Sequence, residues 1–194
     1  MIDHLNTAMR DGVLMRFQRP FEAGSVHGYI DAVGPAFFAV AVVSDRVRFD
    51  GLQCFRLEDV EGLAPDPYTR FVEAALRARA EVRPQAPGLN LDSLPDLLVS
   101  AGRIAPLVTI HTEADDPEVC SVGRVVSIEG GILWMLEIGP DAVWDADPTA
   151  HRLGDITRVD FGGDYEQALD LVGGQPPAPT VGKVPPLRLV TDNG

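Results

Sequence analysis

Gly28-Tyr29-Ile30-Asp31-Ala32-Val33-Gly34-Pro35-Ala36-Phe37-Phe38 and Gly123-Arg124-Val125-Val126-Ser127-Ile128-Glu129-Gly130-Gly131-Ile132-Leu133 are two copies of one strand–turn–strand unit. Each opens on Gly, runs through β-prone residues, breaks at Gly34-Pro35 or Gly130-Gly131, and resumes with apolar residues. The two copies stand 95 residues apart, and the match continues outward on both sides. Residues 3–10 overlie 96–103, and 13–17 overlie 106–110, both at an offset of 93. Residues 55–60 overlie 151–156 at 96, and Ala75-Leu76 overlies Ala168-Leu169 at 93. The offset changes only at turns, where insertions are tolerated, and five matches in order identify an internal duplication.

Each copy predicts a short helix, five strands and a second helix. The opening helices are 3–10 and 93–103, the latter with Ser93 as N-cap and Pro95 in its first turn. Strand-like runs are 12–19, 25–33, 36–44, 46–50 and 53–60, then 106–113, 120–129, 131–138, 142–146 and 150–161. The run 37–43 is almost continuously apolar and suits a strand buried on both faces. Phe71, Val72, Ala75, Leu76 and Arg79 share a helical face, as do Tyr165, Ala168, Leu169 and Val172, with Tyr165 expected in the core. The expected organisation is a first helix–barrel–helix repeat over 1–84, a second over 85–172, and a Pro-rich tail over 173–194. That tail carries Leu187-Arg188-Leu189-Val190 and is expected to dock as an extended segment. The fold class is α+β, mainly β with flanking helices.

Charge is unevenly divided. Of the net −13, residues 1–84 carry −2, residues 85–172 carry −12, and the tail carries +1. Such a field repels phosphate backbones and favours a basic partner. The 45% hydrophobic content supports a buried core. No apolar run approaches the about 20 residues of a membrane span. The start, Met1-Ile2-Asp3-His4-Leu5, lacks the basic and apolar regions of an export signal, so a cytoplasmic location is expected. Cys54 and Cys120 occupy non-equivalent positions and are expected as buried free thiols.

A helix followed by five short bent strands, with the Gly-led unit above and Arg56-Leu57-Glu58-Asp59-Val60 and Arg152-Leu153-Gly154-Asp155-Ile156, resembles the Sm-like fold, a small SH3-type barrel. The resemblance implies two tandem five-stranded barrels over most of residues 3–161. It resembles duplicated bacterial Sm-like proteins, and the Arg-led segments look like the Sm strand 4–5 signature. In RNA-binding Sm proteins an Asp and an Asn shape the base pocket. Here those positions hold Gly34 and Glu129, and Phe38 and Leu133. The resemblance therefore implies the fold without the RNA pocket.

Few residues offer chemistry. His111, Glu113 and Asp115 lie at strand spacing and form the best metal-like set, with Asp116 beside it; the competing reading is a polar edge strand entering an acidic loop. No catalytic motif is present, and Ser121 and Cys120 are the nearest nucleophile candidates. Asp59 and Asp155 read as turn residues between the last two strands. Trp144, among Asp141, Asp145 and Asp147, reads as an aromatic in an acidic rim that fits protein recognition, or as a core residue with its acids outward. The sequence thus predicts a non-catalytic binding or scaffold protein with no cofactor. Its expected partner is a basic protein or peptide, and its expected state a monomer or small homo-oligomer. The alternatives are a metal-dependent hydrolase using His111, Glu113 and Asp115, and a divergent Sm-like RNA-binding protein.

Overall fold

Residues 1–21 and 23–177 are described by the computed structural model, in which helix, five strands and helix follow one another twice. The first set is α1 (Ile2–Asp11), β1 (Leu14–Gln18), β2 (Val26–Val33), β3 (Phe37–Val43), β4 (Phe49–Arg56), β5 (Glu61–Pro65) and α2 (Thr69–Ala78). The second is α3 (Leu94–Ile104), β6 (Val108–His111), β7 (Cys120–Glu129), β8 (Ile132–Glu137), β9 (Thr149–Arg152), β10 (Arg158–Phe161) and α4 (Asp164–Gly173). The expected docking of Leu187-Arg188-Leu189-Val190 lies outside the described residues.

All ten strands join one open antiparallel sheet in the order β5-β1-β2-β3-β4-β10-β6-β7-β8-β9. Each half repeats the same internal order, and β4 pairs with β10 to make the two halves continuous. The duplication extends to irregularities. A bulge interrupts β2 between Ile30 and Ala32, and β7 between Val125 and Ser127. One-turn 3-10 helices, Leu57–Asp59 and Leu153–Asp155, precede the last strand of each half. Gly28 and Gly123 sit where their neighbouring strands come too close for a side chain: a Cβ on Gly28 would lie 2.6 Å from the Ala41 carbonyl oxygen, and one on Gly123 would lie 2.9 Å from Glu137 Cα.

Several boundaries differ from the sequence expectation. Residues 46–50 are mainly the β3–β4 turn, closed by Val47 at φ 53°, and Ala142 at φ 59° does the same in the second half. The expected run 142–146 contributes only a bridge from Trp144 to Ile138. The run 53–60 passes from β4 into a 3-10 turn, 150–161 is divided by one, and the fifth strand of the first half is Glu61–Pro65, which was not expected. Gly and Pro weaken a strand signal, yet an edge strand paired with β1 alone tolerates both.

The core has three parts. Phe17, Phe38 and Phe55 meet at centroid distances of 5.1 to 5.7 Å inside the first half, with Leu5 of α1 closing its end. A larger cluster runs from the outer face of β3 and β4 through the β4–β10 junction into the second half. A third gathers Leu107, Val122, Ile138 and Leu169 under α4. The helix faces are narrower than expected: Phe71, Tyr165 and Val172 are exposed, while α4 buries Glu166 and Leu169. Two polar anchors set that rotation. The Thr109 hydroxyl donates to Glu166, and Asp50 of β4 accepts the Asp164 amide at 2.9 Å, at the start of α4. Cys54 is buried, but Cys120, at the start of β7, is exposed rather than buried.

Candidate functional site

Three polar constellations stand out against this frame, and each is built from strand register. The first lies at the junction of the halves. Arg19, just past β1, reaches across to Glu113, just past β6, with Nη2–Oε2 at 2.5 Å and Nη1–Oε1 at 3.2 Å. Both side chains are almost fully shielded, and the Arg19 guanidinium lies 4.8 Å from the Phe55 ring centroid. Arg158 approaches the same carboxylate at 3.0 Å, and the Thr157 hydroxyl donates to it at 2.7 Å. Burial alone would raise the Glu113 carboxyl, but the Arg19 hydrogen bond, Arg158 and Thr157 outweigh it and hold the group below the ordinary carboxylate range. His111 pairs with Asp160 at 2.9 Å, which Arg158 also meets at 3.2 Å. Asp115 stands apart on an exposed turn, its amide donating to Thr112. His111, Glu113 and Asp115 are therefore not brought around one point, and no group of three metal-ligating side chains occurs among the described residues. Arg19 was the partner that local sequence spacing did not indicate, because it lies 94 residues from Glu113.

The second constellation is inside the second half. The paired positions Phe17–Val26, Gly28–Val42 and Phe38–Phe55 correspond to Ile110–Ser121, Gly123–Glu137 and Leu133–His151. Thus Ser121, Glu137 and His151 stand where the first half has Val26, Val42 and Phe55. His151 Nε2 lies 2.8 Å from Glu137 Oε1. Glu137 also accepts from Ser121 and Thr149, and the His151 bond, foremost, holds its carboxyl low against the opposing effect of burial. The carboxylate occupies the centre, bonded to both the hydroxyl and the imidazole. A serine nucleophile needs the imidazole against its own hydroxyl, so the cluster serves as a polar pin between β7, β8 and β9.

The third is the β8–β9 connection with the end of α4. Trp144 is half-buried under α4, where its indole N–H donates to the Gly173 carbonyl at 3.2 Å and Arg124 stands 5.8 Å over the ring. The ring thereby anchors the hairpin to the helix. Gly173 is required there: a Cβ would meet Ile138 and lie 2.9 Å from the Ala142 carbonyl oxygen. With Ala142 and Trp144 turned inward, Asp141, Val143, Asp145 and Asp147 face solvent. Val143 is 61% exposed, and Leu171 and Val172, at the end of α4, are 84% and 75% exposed. The sequence pattern brought out the acids but not Val143, whose exposure depends on Trp144 facing the helix.

The remaining sequence candidates are structural in placement. Asp59 and Asp155 lie in the two 3-10 turns, which are closed by backbone bonds from Val60 to Leu57 and from Ile156 to Leu153. Desolvation raises the Asp59 carboxyl despite Arg56 and Arg19 nearby. Arg56 spans the junction, donating to the carbonyls of Gly154 and Ile156. Its counterpart Arg152 is exposed on β9. Phe38 and Leu133 are fully buried in the core. No helix among the described residues is long and apolar enough to cross a membrane. No family model matches the chain, and neither the curated proteins nor the solved structures give a match.

Proposed function

We propose that the chain is a non-catalytic binding or scaffold protein, built from two tandem Sm-like small barrels, whose second repeat receives a basic amphipathic protein segment. The observation that carries the reading is an exposed apolar set, Val143, Leu171 and Val172, beside exposed Asp141, Asp145 and Asp147, on the half that holds nearly all the negative charge. Apolar contact supplies affinity and the acids steer encounter. The tandem-barrel reading is supported by the strand order, the β2 and β7 bulge and the 3-10 turn that the halves share. The hydrolase and RNA-binding readings gain no support: Glu113 is committed to two arginines, Arg56 to backbone carbonyls, and the acid field opposes phosphate.

The test is fluorescence anisotropy with a labelled Lys/Leu amphipathic peptide against the full chain, over a salt series. The expected result is salt-sensitive binding, weakened about tenfold when Asp141, Asp145 and Asp147 become Asn, and weakened again by Val143→Asp. Equal affinity for the parent and both variants would overturn the site.

A further inference from the structure

Equivalent helices of the two repeats carry opposite charge. At the offset of 93, Arg77 of α2 falls on Asp170 of α4, and Ala78 and Arg79 fall on Leu171 and Val172. Within its bounds α2 holds Arg70 and Arg77 against Glu73, whereas α4 holds Asp164, Glu166 and Asp170 with no basic residue. The two helices keep the same place in the fold and have parted in sign.

The outer side of α2 is also apolar. Tyr68, at its N-cap, is 68% exposed, and Phe71 is 64% exposed. At helical spacing Phe71, Ala74 and Ala78 continue as one exposed stripe, while Leu76, on the other side of the helix, packs into the core. Arg70 and Arg77 are exposed two turns apart along one flank of that stripe. Aromatic residues and arginines are the types that anchor protein interfaces.

This combination matches the acidic site of the second repeat. That site offers Val143, Leu171 and Val172 as apolar contacts, with Asp141, Asp145 and Asp147 exposed beside them. We propose that the basic amphipathic segment received by the second repeat is α2 of another copy of this chain. Phe71 then meets the surface of Val143, Leu171 and Val172, and Arg70 and Arg77 face the acids. The proposal rests on the acidic site described above and adds its occupant.

The contact joins two different surfaces, and every copy carries both. It is therefore heterologous: copies add head to tail, into a ring if the rotation closes and a filament if it does not. Whole copies repel, each with a net charge of −13. That repulsion is screened beyond about 8 Å at physiological ionic strength, so the local pairing of arginines with acids governs the docked contact.

The test is sedimentation velocity of the full chain over a concentration series. The parent is expected to form species larger than the monomer. Phe71→Asp on one surface, and Val143→Asp with Leu171→Asp on the other, should each weaken association about tenfold or more. Arg70→Glu with Arg77→Glu is an independent variant of the first surface. All these side chains are exposed, so the far-UV spectrum and Tm should match the parent. Mixing is the decisive arm. Phe71→Asp keeps an intact acidic site and the Val143/Leu171 variant keeps an intact α2, so together they should form a one-to-one heterodimer that grows no further. Variants that associate as the parent does, or a mixture that stays monomeric, would overturn the proposal. A parent that stays monomeric while the labelled Lys/Leu peptide binds overturns this occupant and leaves the acidic site standing; loss of both results removes the site as well.

Discussion

Glu113→Ala is the most demanding test of how the two repeats are held together. The side chains of Arg19 and Glu113 are 0% and 3% exposed, so the variant leaves a guanidinium in a shielded junction without its carboxylate. Breaking one partner of such a pair costs about 3–5 kcal/mol, because the remaining charge is desolvated and has lost its two-bond partner. For a chain of this size, 1 kcal/mol moves Tm by about 2–4 °C, which gives a fall of about 6–20 °C. Arg19→Met should cost less, because Arg158 at 3.0 Å and the Thr157 hydroxyl still hold the Glu113 carboxylate. The double variant, Arg19→Met with Glu113→Leu, should recover most of the loss, because an apolar pair replaces the charges while Arg158 keeps Asp160 at 3.2 Å. Urea unfolding followed by tryptophan fluorescence, with Glu113→Leu as the matching single variant, gives all four corners of the cycle, with an expected coupling of about 3 kcal/mol or more. Single variants costing under about 1 kcal/mol, or a double variant as unstable as the sum of the singles, would refute the assignment of the pair as the lock.

Stability should decline as pH falls below the ordinary carboxylate range of about 4. Glu113 and Glu137 have folded values below their unfolded ones, so their contribution is present above the unfolded value and lost as pH drops through the folded one. Glu137→Gln should flatten that acid limb in a pH series of urea midpoints; an unchanged limb counts against the pin. In thiol labelling of the native protein, Cys120 should react and Cys54 should wait for unfolding, so two thiols titrating together would contradict the burial. Gly123→Ala should destabilise by more than about 2 kcal/mol in urea melts, since the added Cβ meets β8 backbone rather than a movable side chain; a melt within error of the parent would show that β7 and β8 are not so closely apposed.

The duplication was legible because register repeats what sequence repeats. Gly28 and Gly123 both pair across to the next strand, and the offset of 95 between them also holds for the bulges and for Val47 and Ala142. The fifth strand was not legible: Glu61-Gly62-Leu63-Ala64-Pro65 reads as a loop, and only its pairing with β1 makes it a strand. The orientation of α4 was hidden for a similar reason. Periodicity places Tyr165, Ala168, Leu169 and Val172 on one face, but Glu166 turns inward to Thr109, a residue far away in sequence. Of the chemistry-bearing residues, His111 and Glu113 read as a metal-like set or as a polar edge strand; β6 instead lies between β10 and β7 with both side chains buried, and the sequence had no means of finding Arg19 or Arg158 as their neighbours. It singled out Trp144 because acids surround it, and Trp134 carried no such mark. The structure uses Trp144 to hold α4 and leaves Trp134 at the surface.

The halves also differ at the ends of the sheet, and that difference explains why β5 and β9 are its edges among the described residues. At the β4–β10 junction, Leu52 and Cys54 face Phe161 and Val159, all four buried, and Arg56 clamps the neighbouring turn. At the two free edges, the counterparts are Pro148 and Ala150 on one side and Pro65 and Leu63 on the other. Proline removes a ladder donor, and β5 is further distorted by an irregular register against β1 and by Gly62 at φ 59°. β9 has only four residues. Short, Pro-flanked and bulged strands are how sheets resist edge-to-edge growth. An interface that is buried and stapled inside the chain is thus Pro-bearing at both outer ends, irregular in β5 and short in β9. Among the described residues, that asymmetry disfavours further strand pairing at β5 and β9.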